Sequence, residues 1–142
     1  CDPAGGCLFE VDGSLTIKSR TARDLWSFFV SAPRMMRPIE GDFTAQVTGE
    51  PACTDRPGVG GILLWQDKSN FLRLSIGVRA QDETSLDGCI ANRDVVIGRG
   101  RLATGPITLR MERSGNTVRA LCSAVGQEYG HQPPAGGGSR QL

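Results

Sequence analysis

Three arginines, one glutamate and one tryptophan are the side chains of this chain best suited to meet a ligand. Arg73 lies in Asn70–Val78 (NFLRLSIGV), where Leu72, Leu74 and Ile76 alternate with Phe71, Arg73 and Ser75. Arg110 and Glu112 lie in Pro106–Arg113 (PITLRMER), opposite Ile107, Leu109 and Met111. Arg119 lies in Asn116–Ser123 (NTVRALCS), opposite Val118, Ala120 and Cys122. Alternation of period two sends these polar side chains to the face away from the apolar one. Trp65, near the end of Gly60–Gln66 (GGILLWQ), joins them if the strands share a sheet. Aromatic faces stack on sugar rings, and guanidinium forks hydrogen-bond hydroxyls or carboxylates. The expected ligand-binding set is therefore Trp65, Arg73, Arg110, Glu112 and Arg119, with a glycan as ligand. The competing reading is a solvated sheet face with cross-strand charge pairs. Trp26, near Phe28 and Phe29, reads as a core aromatic.

Other chemistries find less support. Glycoside hydrolysis needs paired carboxylates, such as acids on alternate residues of one strand. Asp42, Asp67, Asp94 and Glu112 stand apart, and the closest pair, Asp82-Glu83, falls in a polar, loop-like segment. His131 is the one histidine and borders a Pro/Gly-rich tail, which argues against a Ser or Cys triad and a His-rich metal site. Gly58-x-Gly60-Gly61 precedes a strand-like run with no Lys-Ser/Thr, so it reads as a turn with close packing, not a phosphate loop. Cysteines stand at 1, 7, 53, 89 and 122, with no CxxC unit. They read as small buried residues, with one or two disulfides as the alternative in an oxidising compartment. No catalytic residue, metal site or cofactor is expected.

The elements that position these residues read as strands. Asp42–Thr48 (DFTAQVT) alternates cleanly, while Gly60–Gln66 is apolar on both faces and so reads as more central. Cys89–Ile97 (CIANRDVVI) reads as a broken strand or two short pieces. Asp12-Gly13, between CLFEV and SLTIK, is a strong hairpin signal, and Ser114-Gly115-Asn116 joins two later strands in the same way. Arg23–Val30 reads as strand or irregular structure, and no helix of ordinary length is required. Many short strands with Gly- and Pro-rich turns argue an all-β sandwich or barrel.

Composition agrees. The chain has 142 residues, enough for one domain, and its 16 Lys plus Arg nearly balance 15 Asp plus Glu. A net charge of +1 makes no electrostatic case for nucleic acid or anionic lipid. No apolar stretch is long enough for a membrane helix. The chain begins at Cys1, which reads as a fragment or processed piece of a larger polypeptide.

Four segments carry a family resemblance: DPAGGC…DGSLTI, APRMMRPIEGDFTAQV, GVGGILLWQDKSNFLRL and ITLRMERSGNTVRALCSA. Over Asp2–Gln127 the chain resembles a bacterial group of concanavalin A-like domains of largely unknown function, often described as similar to a regulator of enolase expression. The most specific stretches are Gly60–Leu74 and Pro33–Phe43. The resemblance implies an antiparallel two-sheet jelly roll with Greek-key connections, spanning 1–127, and it supplies no catalytic set. Members continue with further strands after the position of Ala124, whereas here Tyr129 leads into a low-complexity tail, 128–142. The expectation is a sandwich lacking its last strands, with Gln132–Leu142 disordered. The function expected is a non-catalytic accessory or binding module for carbohydrate. The alternatives are a structural or protein-interaction domain attached to a regulatory protein, or a weak glycoside hydrolase relative.

Overall fold

The computed structural model describes residues 2–19, 21–26, 29–50, 58–77, 80, 82–102 and 105–125. These residues form eleven β-strands and no helix. The chain divides into two compact units, Cys1–Pro38 and Ile39–Leu142.

In the first unit, β1 (Cys7–Asp12) and β2 (Ser14–Ser19) form an antiparallel hairpin turning at Gly13. Gly13 has φ +65°, a conformation glycine adopts without a Cβ penalty. The expected Asp-Gly hairpin is therefore present. The Asp2 carboxylate accepts the Cys7 N–H at 2.8 Å, which holds its pKa below the ordinary value. β3 (Leu25–Trp26) and β4 (Phe29–Val30) pair as two-residue strands. Trp26 is half-buried, but Phe29 is 65% exposed, so it does not join the aromatic core expected around Trp26. Phe28 lies outside the described residues.

The second unit is sandwich-like, with two antiparallel sheets packed face to face. One has the order β11 (Thr117–Ala124), β10 (Ile107–Ser114), β5 (Phe43–Gly49). The other has the order β6 (Gly60–Asp67), β7 (Asn70–Ile76), β8 (Glu83–Ile90), β9 (Arg93–Arg101). Leu72, Leu74 and Ile76 of β7 meet Ile107, Leu109 and Met111 of β10 to form the core. Phe43, Ile62, Leu64, Leu86, Val118 and Cys122 pack around it. These are the apolar faces that alternation assigns to β5, β7, β10 and β11. Burying such faces against each other is the main favourable term in folding. Gly115, at φ +57°, turns β10 into β11 as expected.

Two expectations about elements need correction, and the expected break within Cys89–Ile97 is present. Gly60–Gln66 is an edge strand, not a central one, because only β7 pairs with it among the described residues. Its second apolar face, Leu63 and Trp65, packs on the outer side of its own sheet. Glu83 is not in a loop but opens the eight-residue strand β8. Cys89–Ile97 contains the end of β8, a turn at Ala91-Asn92 and the start of β9. The tail 128–142, His131, Cys1 and Cys53 lie outside the described residues. Cys7, Cys89 and Cys122 are free thiols, and of these only Cys89 is fully buried.

Candidate functional site

The core side chains define the inner faces of the two sheets, so alternation assigns the others outward. On the four-stranded sheet the outward residues fall into rows that run across the strands. Trp65, Phe71, Cys89 and Asp94 form the first row. Leu63, Arg73, Asp87 and Val96 form the second. Gly61, Ser75, Ser85 and Arg99 form the third, and Glu83 with Arg101 closes the face. From Cys89 to Glu83 the face extends roughly 20 Å along β8.

The rows differ in chemistry. The Trp65 and Phe71 rings stack at 5.4 Å with 23° between planes. Next to them the Arg73 Nε donates to Asp87 Oδ1 in an ion pair. Ser85 Oγ donates to Asp87 Oδ2 at 2.9 Å, and the Ser75 and Ser85 hydroxyls lie 3.4 Å apart. Arg73, Asp87, Ser85 and Ser75 thus form one connected polar network. Its inner members are nearly closed to solvent, with Ser85 1% and Asp87 2% exposed. Buried polar groups of this kind rely on each other for hydrogen bonds. At the rim, Trp65 and Arg99 are half-buried and Val96 and Arg101 exposed.

A bulge shapes this face. Leu86 faces Gly98 and Asp87 faces Val96, which leaves Ile97 as an extra residue on β9. Ile97 packs toward the core. Unbroken alternation from Ile97 would turn Arg99 and Arg101 inward. The extra residue instead sends both to the side of Ser85 and Glu83.

The aromatic end is braced by side chains from two hairpin turns. Asp67 Oδ1 accepts the Ser69 N–H at 2.7 Å and the Asn70 amide at 3.2 Å. The Ser69 N–H and the Asn70 amide hold the Asp67 pKa below its ordinary value. Asn70 Oδ1 in turn accepts the Ala91 N–H at 3.1 Å, and the Asn92 N–H donates to the Ser69 carbonyl at 3.1 Å. Cys89, in the aromatic row, has its thiol pKa pushed up by burial and then by the Asp94 carboxylate.

The five residues singled out from the sequence do not share one face. Trp65 and Arg73 lie on the outer face of the four-stranded sheet. Arg110, Glu112 and Arg119 lie on the outer face of the three-stranded sheet, where Arg119 stands opposite Glu112. Arg110 Nη2 and Glu112 Oε1 form an ion pair at 2.6 Å with both side chains partly exposed. The single polar face expected from the sequence is corrected to two, because β10 and β11 pair with β5 and not with β7. Packed sheets stand about 10 Å apart, and their outer faces point in opposite directions.

Sequence reasoning set Glu83 aside as part of a loop-like acid pair and passed over Ser85 and Asp87, which alternate with it along β8 as E-x-S-x-D. The signal was period-two spacing of polar residues, hidden because the positions between them are Thr84 and Leu86, of which only one is apolar. It also passed over Arg99, which the bulge re-aims. Among the described residues no cluster of three His, Cys, Asp or Glu side chains could hold a metal ion. Compared with known proteins, the chain matches no family model, no curated protein and no solved structure.

Proposed function

We propose that this chain is a non-catalytic binding module for carbohydrate, with the ligand carried on the outer face of the four-stranded sheet. The observation that supports it most is the Trp65–Phe71 stack beside the polar network of Arg73, Asp87, Ser85 and Ser75. Trp65, half-buried at the rim, offers an aromatic surface for a sugar ring, while Phe71, 3% exposed, and the polar network support it from within the sheet face. The concanavalin A-like jelly roll belongs to the same proposal, supported by two packed antiparallel sheets. Trp65 is the principal contact in this reading, and Arg73 is a positioning residue because its guanidinium is engaged by Asp87. Arg110, Glu112 and Arg119 would serve a separate surface, out of reach of a ligand held at Trp65.

Hydrolysis is the weaker reading. Glu83 and Asp87 stand four residues apart on one strand, roughly 13 Å between Cα atoms. Retaining and inverting pairs hold their carboxyl groups about 5–9.5 Å apart. Asp87 is moreover engaged by both Arg73 and Ser85, which leaves it poorly suited to trade protons. A protein-interaction role has one observation of its own. Phe9, Val11, Leu15 and Ile17 share one face of the first hairpin, and Val11 is 78% exposed.

A glycan array probed with the chain tests the proposal, followed by titration monitored through tryptophan fluorescence. Binding lost in Trp65→Ala, with the fold intact by circular dichroism, is the expected result. No binding to any glycan sinks the carbohydrate reading and favours the hairpin surface.

A further inference from the structure

The two sheets of the second unit differ in width, and the difference leaves one strand position open. Thr84 Oγ1 of β8 and Cys122 Sγ of β11 lie 3.7 Å apart across the core, so β11 lies over β8. β9 extends beyond it, and among the described residues no strand lies opposite β9. Among the same residues β11 pairs only with β10. The Val125 N–H donates to the Pro106 carbonyl, so the odd-numbered residues of β11 turn their backbone groups to β10. Val118, Ala120, Cys122 and Ala124 turn theirs to the open side. The core thins here as well. Ile107, Leu109 and Met111 of β10 are at most 1% exposed, whereas Val118, Ala120 and Cys122 of β11 and Ile97 of β9 are only half-buried. Gly98 and Gly100, on the inner side of β9, bring no side chains to fill the gap.

We propose that the open side of β11 docks a single extended strand of a partner polypeptide, with apolar residues at alternate positions and an acidic residue on its outer side. Such a strand bonds to the free backbone groups of β11, and its apolar side chains complete the layer over β9. The acidic residue follows from Arg119. This side chain is exposed on the outer side of β11 and forms no ion pair among the described residues. Its cross-strand neighbour Glu112 is engaged by Arg110 instead. A carboxylate on the added strand, across from Arg119, complements the charge. A second copy of this chain does not fit the slot. Joining β11 to β11 in one plane would put the β9 of one copy in the place of the other copy's β8. The sequence after Val125, GQEYGHQPPAGGGSRQL, has no alternating apolar run and contains Pro-Pro, so it does not match the slot either.

The probe is a synthetic peptide of about eight residues, the length of β11, in which valine alternates with threonine and one central threonine is replaced by glutamate. Its binding to the full chain is read by fluorescence anisotropy, beside a lysine version and a version with the alternation scrambled. The glutamate peptide is expected to bind roughly three- to fivefold tighter than the lysine peptide, and the scrambled one not at all. Arg119→Glu, an exposed substitution, should reverse the order of the two charged peptides. Amide hydrogen exchange on the unaltered chain is the independent arm. Val118, Ala120 and Cys122 should exchange fast in the free chain and slow when the glutamate peptide is added. Protection of these amides in the free chain equal to that of β10 would show the edge already filled, and would overturn the proposal. So would equal binding of the scrambled peptide, an unchanged order in Arg119→Glu, or no binding of any peptide. A dimer in sedimentation that protects the same amides would assign the edge to a second copy and overturn it too.

Discussion

Arg73 and Asp87 face each other across the two middle strands of the four-stranded sheet, and their ion pair is almost wholly withdrawn from water. The Arg73 side chain is 13% exposed and that of Asp87 3%. Such a pair repays desolvation only when its remaining atoms are also met, and Ser85 supplies one of those bonds at 2.9 Å. Removing one partner strands the other. Asp87→Ala and Arg73→Ala should each lower stability by about 3–5 kcal/mol, read from urea unfolding. The double variant Arg73→Met/Asp87→Leu should cost much less than the two single losses combined. Strict additivity would show that the two charges are not coupled.

How much of this was readable in advance differs strand by strand. Alternation in β7, β10 and β11 pointed correctly to Leu72, Leu109 and Cys122, because each of these strands has one apolar face. β8 gave no such pattern. Its outward positions are Glu83, Ser85 and Asp87, and these are buried through cross-strand partners that local sequence does not contain. The partition of strands between sheets was also hidden. β5 pairs with β10 across a long stretch of chain, and no local spacing records that choice. Arg73 and Arg110 therefore look alike in the sequence yet end on opposite faces. Trp65 was legible as a surface aromatic, but its stacking partner Phe71 was not, because that contact depends on the β6–β7 register.

Gly88 gives a test of how closely β7 and β8 approach. A Cβ at this position would overlap the Phe71 carbonyl oxygen and come within 3.0 Å of the Leu72 Cα. Both are backbone atoms, so relief requires the strands to move apart. That movement would disturb the adjacent Asp87 and Cys89 positions. Gly88→Ala should therefore destabilise by about 1–3 kcal/mol or more, despite adding only one methyl group. A loss under about half a kcal/mol in chemical unfolding would contradict the close approach.

Ala91 carries strain that substitution should release. Its φ is +50° and that of Asn92 is +62°, the pattern of a tight hairpin turn with both central residues left-handed. Asparagine tolerates this region, whereas alanine pays about 1–2 kcal/mol for its Cβ. The turn persists because the Ala91 and Asn92 N–H groups are tied to Asn70 and Ser69. Ala91→Gly removes the steric cost but adds about 0.5–1 kcal/mol of unfolded-state entropy. The net expectation is a stability gain of up to about 1 kcal/mol, seen as a higher melting midpoint. A clear loss would mean that Ala91 does not hold this conformation.

Cys89 makes the fold sensitive to alkaline pH. Its thiol is raised above the ordinary 9.0 by burial and by the Asp94 carboxylate. The folded chain therefore holds this proton more firmly than the unfolded chain does. Stability from this group is intact below 9.0 and is lost as pH rises from there through the higher folded-state value. Unfolding midpoints measured under reducing conditions should fall as pH rises above 9.0, and fall less in Cys89→Ala. The same burial should make Cys89 slower to alkylate than Cys7, which is half-buried. Mass spectrometry after a brief iodoacetamide pulse distinguishes the sites. Labelling of Cys89 as fast as Cys7 would show that the aromatic row is open to reagents. The platform beside Trp65 would then be looser than its packing against Phe71 implies.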